Sequence, residues 1–509
     1  MISMNQRKAG VILSYVNMGL QALIGFVYIP MLLVFLTKEQ YGLYQLVGSM
    51  IAYIAVMDFG LANTTVRYYS RLRALNNIQG QENLLAIMLR LYMGIAVAII
   101  VVGIILLHVL LPFYTKTLSA TDLITAKYVY WIMMFNLAVT IPGHIFSAII
   151  QAHEKFIFLR CASFFNIILQ PCFVFVVLHF KASIIALVVV QTLCNVSLFM
   201  ANAYYSVCKL KARFHLHKWD GKFVKEILFF SFFIFLNAIM DQIYWKTGQL
   251  ILGAVVGTVS VAVYSVTVQL CMSYMGFSSN ISSVFLPKLS ALATQKDMRE
   301  TNAIFLKVGR LQFYIVMLIF WGFLLFGRQF IHLWVGNSFL PAYTYAAILM
   351  AALIVPLVQN TGILILQAKN KHAFRAIVFV IIAILNVCIS IPLAKQYGAM
   401  ACACVTAGCL VLGQGLILNV YYAKLGVQII SFFGHIGEIF LAMLLPVGLT
   451  GLVLTKVSIT PSIPVLGAQI ALFTILYGFT MWELAMNDYE KNLILTPFKK
   501  LRKTYEHKR

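Results

Sequence analysis

Glu226–Tyr264 reads EILFFSFFIFLNAIMDQIYWKTGQLILGAVVGTVSVAVY: one hydrophobic helix, a Gly-rich turn, and the start of a second helix. Asp241 and Lys246 lie inside an apolar run long enough to cross a bilayer. A charge facing lipid at a helix centre costs about 2.5–3.5 kcal/mol, so both residues imply a polar interior that receives them. The stretch has a counterpart some 220 residues earlier, where Asn17, Gln21, Gly42 and Tyr44 stand in place of Asn237, Asp241, Ala262 and Tyr264. A second copy of the first half therefore opens here, and it holds the unusual charges.

Composition agrees. The 509 residues are 62% hydrophobic and 10% charged, with mean hydropathy +0.91, against about 25% charge in a soluble domain. The chain reads as an all-α integral membrane protein. Arg7 and Lys8 precede a first apolar run that is too long for a signal peptide, contains Pro30 and lacks a small-residue cleavage site, so it reads as a retained span. A net charge of +23 would suggest nucleic acid in a soluble protein. Here the basic residues sit in short loops, and the positive-inside rule accounts for them without a nucleic-acid partner. The nine cysteines are scattered through apolar segments. They read as small buried residues, not as a metal site.

About fourteen spans follow from length and loop punctuation, near 11–35, 43–66, 84–111, 124–150, 156–178, 182–207, 224–252, 259–286, 304–327, 342–366, 374–394, 398–422, 432–455 and 464–486. Of the 38 Lys and Arg residues, 30 fall on the side of the two termini and the even-numbered connections, and seven on the other; Lys246 lies within a span. That asymmetry predicts cytoplasmic termini. The Q-A turn at Gln151–Lys155 recurs at Gln367–Lys371, and Asn166 and Pro171 correspond to Asn386 and Pro392. Residues 1–215 are thus expected as an N-lobe of six spans and 216–427 as a parallel C-lobe of six. Two further spans over 428–488 and a basic cytoplasmic tail over 489–509 complete the chain. Parallel repeats of this kind suit a transporter, with substrate at the repeat interface.

Asn237, Asp241, Tyr244 and Gly248 share one helix face, a polar stripe suited to lining a wet cavity; the alternative for Asp241 is pairing with a buried donor. Lys246 lies about 140° around the helix from Asp241. Gln242 and Gln249 flank it on its own face, which favours a cavity role over snorkelling to the outer surface. Arg67 and Arg71 share a face with Asn63 near the inner end of span two, where cavity lining and positive-inside anchoring are both open. Asp58 sits earlier in that span. Glu438 and Glu483, outside the repeat, are expected to pair between helices. No Walker loop, GxSxG, HExxH or paired-carboxylate motif appears on an aqueous loop, so no catalytic residue, metal or cofactor is expected. The basic tail should attract anionic lipid headgroups.

Thr37–Tyr44 (TKEQYGLY), Asp58–Arg67 (DFGLANTTVR), Asp241–Gly253 (DQIYWKTGQLILG), Val261–Val266 and Phe285–Ser290 occur in an order and spacing that resembles the polysaccharide transporter or O-antigen flippase family. That family belongs to a superfamily shared with multidrug extruders and peptidoglycan lipid flippases. The resemblance covers residues 8 to 425. It implies two six-helix lobes around a cavity open alternately to each side. The expected substrate is an undecaprenyl-diphosphate-linked oligosaccharide, flipped in the cytoplasmic membrane during surface polysaccharide assembly, with other assembly proteins as partners. Span one offers Asn17 and Gln21 but no cation, so Lys246, Arg67 and Arg71 must meet a diphosphate. Asp241, with Asp58 behind it, is the candidate for coupling to a proton or Na⁺. Rival readings are a cation-coupled drug extruder of the same fold, which Lys246 disfavours, and a glycosyltransferase or polymerase, which would need acidic groups on aqueous loops. A non-enzymatic scramblase or assembly factor is a further alternative.

Overall fold

Inside a bilayer, backbone groups must be satisfied within the chain, which leaves helices or closed barrels. The structure, a computed structural model, describes residues 2–295, 298–368, 372–456, 462–493 and 495–496. For 2–5, 7–8, 11, 230, 232–234, 236–237, 280–281, 283–295, 367–368, 372–373 and 456 it describes the backbone alone. Every regular element among the described residues is helical. Thirteen stretches among them are long and apolar enough to cross a membrane, making this a multi-pass membrane protein. Each of the fourteen expected spans has a helical counterpart. The one outside the thirteen is Gly221–Val255, whose 35 residues, at 1.5 Å per residue, exceed a hydrocarbon core of about 30 Å. The second Q-A turn at Gln367–Lys371 and the tail beyond residue 496 lie outside the residues whose side chains are described.

The chain divides into two compact units, residues 1–265 with 390–399, and residues 266–389 with 400–509. Unit 1 contains α1 (Ile2–Phe35), α2 (Lys38–Ala55), α3 (Leu61–Ala74), α4 (Ile78–Tyr114), α5 (Ala120–Ala152), α6 (Phe156–Phe180), α7 (Ile184–Tyr204) and α8 (Gly221–Val255). It also takes in the first turns of α9 (Thr258–Gln295). Within it α1 packs on α6, α5 on α4 and α7, and α8 on α2.

Local chemistry sets these boundaries. The turn before α2 carries a capping box: the Thr37 hydroxyl accepts from Gln40 N at 3.3 Å, and Gln40 Oε1 accepts from Thr37 N at 3.1 Å. Gly42, one turn on, lies against the carbonyl of Thr258, and any Cβ there would overlap that oxygen. Glycine is required by this close approach. The expected second span is not one continuous helix. After a 3₁₀ turn at Val56–Asp58, Phe59 (φ 53°) and Gly60 (φ 65°) are both left-handed, and α3 starts afresh at Leu61. Glycine accepts that conformation freely; a phenylalanine does not.

Unit 2 continues through α10 (Met298–Val335), α11 (Pro341–Val358), α12 (Asn360–Ala368), α13 (His372–Tyr397) as far as Ile389, α14 (Ala399–Leu410) from Met400, α15 (Leu418–Lys424), α16 (Ile429–Lys456) and α17 (Ile463–Leu484). α11, α16 and α17 all pack on α10. Several of its buried polar groups are paired, which offsets the cost of burying them. Gln312 donates to Ser278 Oγ at 3.0 Å and Ser282 Oγ at 2.6 Å, and Gln359 donates to Asn419 Oδ1 at 2.8 Å. The strongest tie is a bidentate pair: Arg310 Nε meets Glu490 Oε1 at 2.6 Å and Nη2 meets Oε2 at 3.0 Å, with Glu490 only 1% exposed. Tyr314 Oη joins the same carboxylate at 3.2 Å. Among the described residues Glu438 does not make the expected ion pair with another helix; it lies 3.7 Å from His435, one turn back on α16. That i, i+3 spacing is within reach of any helix surface. Glu483 is exposed.

Candidate functional site

The candidate residues lie along α8 and on the helices of unit 1 packed against it. α8 begins at Asp220, whose carboxylate caps it by accepting from Lys222 N at 3.0 Å and Phe223 N at 3.1 Å. From there its polar residues fall at three levels. Near the start, Glu226 Oε1 accepts a hydrogen bond from Tyr68 Oη of α3 at 3.0 Å. Asp241, further along, is exposed and has interactions of its own. Asn237 lies on α8, but its side chain is outside those described. The stripe then closes: Tyr244 is buried, and Gly248 abuts the ring of Tyr264 so nearly that a Cβ would come within 2.7 Å of it.

On the neighbouring face, Gln242 and Lys246 are half-buried. Among the described residues Lys246 takes part in no ion pair or hydrogen bond. One turn on, Gln249 is 1% exposed and fully engaged. It accepts from Ser49 of α2 and donates to Ser265 Oγ of α9 at 2.9 Å. Thr247 is likewise bonded to Tyr53 of α2. The C-terminal part of α8 is thus a hydrogen-bonded packing node, and Lys246 stands at its edge as a cation with no ion pair among the described residues.

The other candidates are separated. Asn17 is buried and donates to the carbonyl of Arg160 on α6 at 2.9 Å, while Gln21 is exposed one turn on. Asp58, at the break between α2 and α3, meets His144 Nδ1 of α5 at 3.0 Å. Arg67 and Arg71 are both exposed on α3, with the Arg67 guanidinium 5.8 Å from the centre of the Tyr68 ring. Arg67 lines a cleft of about 390 Å³ together with Asn63, Thr64, Tyr68, Glu226, Ile227 and Phe229. Below it, Arg73 Nη1 donates to the carbonyl of Ala152 at 3.0 Å, and His153 follows. Burial, with Arg73 and Lys155 nearby, holds the His153 imidazole below its usual pKa.

The structure therefore brings Arg67 and Asn63 together with Glu226, Tyr68 and Thr64, three residues that sequence reasoning passed over, and it gives Asp58 a partner in His144. One signal was available: Glu226 is the single acid in a helix start that carries Lys222 and Lys225.

A family model described as "Polysaccharide biosynthesis protein" matches residues 8–293, more than half of the chain. No curated protein matches. Among solved structures, the lipid II flippase MurJ in an inward closed conformation superposes with a TM-score of 0.72 at 15% identity, covering 96% of this chain and 99% of that one. An inward-facing multidrug resistance MATE family transporter of the MOP superfamily gives 0.64 at 13% identity, over 81% and 95%. A MOP superfamily transporter from Pyrococcus furiosus gives 0.56 at 14%, over 84% and 96%. At these identities the likeness is one of fold.

Proposed function

The chain belongs to the polysaccharide biosynthesis protein family, and from that membership we propose that it flips undecaprenyl-diphosphate-linked oligosaccharides across the cytoplasmic membrane by alternating access. The observation that carries this reading is Lys246, a half-buried cation on α8 that has no ion pair among the described residues. A diphosphate supplies the missing counter-charge, and in a partly desolvated site that attraction exceeds its value in water. Arg67 and Arg71, exposed on α3, receive the headgroup at the inner end. A cationic drug would meet repulsion from Lys246 instead. The lipid tail stays in the bilayer, the termini are cytoplasmic, and no bond in the substrate is made or broken. The lobes are the two six-span repeats over 1–215 and 216–427, with anionic membrane lipids and other polysaccharide-assembly proteins as partners. Asp241, whose mate in the first repeat is the neutral Gln21, is the coupling group. A proton or Na⁺ biases alternation only through differential affinity for the two states.

The test is transport of a fluorescent diphosphate-linked oligosaccharide in proteoliposomes. Lys246→Ala should lower the rate at least about tenfold at equal protein level, as loss of a charge-assisted contact implies, while Lys246→Arg retains part of it. Undiminished transport by Lys246→Ala would overturn the reading. In the same vesicles Asp241→Asn should transport without responding to proton or Na⁺ gradients; an unchanged response would move coupling to Asp58.

A further inference from the structure

Resting on the diphosphate-linked reading above, we infer that the cleft between α3 and α8 recognises the first sugar of the substrate, the one attached to the diphosphate, through Glu226 and Asn63. At about 390 Å³ it falls within the roughly 300–1,000 Å³ of small-ligand sites. Glu226, Asn63 and Arg67 are exposed along it, so their free hydrogen-bonding positions are open to a ligand. Glu226 uses Oε1 for the Tyr68 hydroxyl, and Oε2 has no hydrogen bond among the described residues. The Thr64 hydroxyl is buried behind the wall, the residue 4% exposed, and has no hydrogen-bond partner among the described residues. The Asn63 amide and the Arg67 guanidinium are exposed and make no side-chain hydrogen bond among the described residues.

These groups differ in what they can bond. A carboxylate only accepts, a guanidinium only donates, and an amide and a hydroxyl do both. A bare phosphate satisfies Arg67 alone and is repelled by Glu226. A ligand that satisfies both ends carries an anion at one side and hydroxyl donors at the other, which is the sugar–phosphate junction of a glycosyl diphosphate. The Tyr68 ring separates the two ends: the guanidinium lies 5.8 Å from its centre and its hydroxyl is bonded to Glu226. The cleft therefore orients its ligand, with phosphate on Arg67 and sugar hydroxyls on Glu226 and Asn63. The same carboxylate selects against a uronic acid as first sugar. Arg67 follows Asn63, and Tyr68 follows Thr64, at four-residue spacing, so two adjacent stripes of α3 supply these groups, and α8 supplies Glu226.

The test is binding to the full chain in detergent, with citronellyl diphosphate as the bare probe and its N-acetylglucosaminyl, galactosyl and glucuronyl derivatives. At least one neutral-sugar probe should bind about tenfold or more tighter than the bare one, and the glucuronyl probe no tighter. Glu226→Gln should erase that increment while the bare probe, relieved of a like charge, binds no more weakly than to the wild type, and Asn63→Ala, an exposed position, should reduce the increment likewise. Arg67→Ala should weaken all probes alike. If the wild type binds neither bare nor glycosyl diphosphate, the flippase reading falls, and this inference with it. If it binds all probes equally, or Glu226→Gln keeps the increment, this inference falls alone. Displacement of the sugar probe by equimolar phosphatidylglycerol, which also presents a phosphate and hydroxyls, would make the cleft a membrane-headgroup site and overturn it.

Discussion

Arg310 and Glu490 stand 180 residues apart in the chain and close on each other with two hydrogen bonds in a buried site. Around them Tyr314 Oη donates to the carbonyl of Ala485 at 3.0 Å, and Asn487 N donates to Glu490 Oε2 at 3.0 Å. The carboxylate therefore ties the segment after α17 to α10. Removing one partner of such a pair leaves an uncompensated buried charge. Glu490→Ala should cost about 3–5 kcal/mol, whereas the apolar double change Arg310→Met with Glu490→Leu should recover most of it. Thermal unfolding in detergent reads both; equal loss in the single and double variants would refute the assignment. Nothing in the sequence pointed to this pair. Arg310 follows Lys307 near a basic helix start and Glu490 lies in a polar stretch, and each alone looks like a solvated surface residue.

At the scale of elements, helices were legible because apolar length is a local property. Which face of each helix meets a neighbour was not, because a membrane helix is apolar on every side and its period carries little information. Lys246 and Asp241 stood out as charges in apolar runs, but Gln249, on the same face as Lys246, proved to be bonded to α2 and α9. The break in span two escaped because its left-handed pair includes Phe59, and Gly60 was the only local sign. Close approaches were also hidden, since a glycine in a helix may serve packing or nothing. Gly42 and Gly19 make the comparison: a Cβ at Gly42 would strike the backbone of Thr258, and one at Gly19 would meet nothing within 4 Å. Gly42→Ala should lower stability by about 1–3 kcal/mol, because a backbone carbonyl cannot step aside. Gly19→Ala should be neutral or stabilising. Unfolding midpoints that fall equally in both would refute the close contact.

Over the whole molecule, the 30 Lys and Arg residues expected on one side against seven on the other predict an orientation that cysteine labelling can read. In a background cleared of native cysteines, a site at Lys116 should react with an impermeant thiol reagent from outside sealed cells, and one at Arg73 should not. Labelling at Arg73 from outside would invert the orientation.

Unit 1 is not contiguous in the chain: it comprises residues 1–265 and then 390–399. Chains are made from the N-terminus at about 5–20 residues per second, and domains generally fold in that order. The roughly 125 residues between the two pieces therefore impose a wait of about 6–25 s. Throughout that interval the ribosome is delivering unit 2 while unit 1 still lacks its last ten residues. Biogenesis of this protein is thus interleaved, and a nascent chain released anywhere between residues 265 and 390 leaves behind an unfinished first unit.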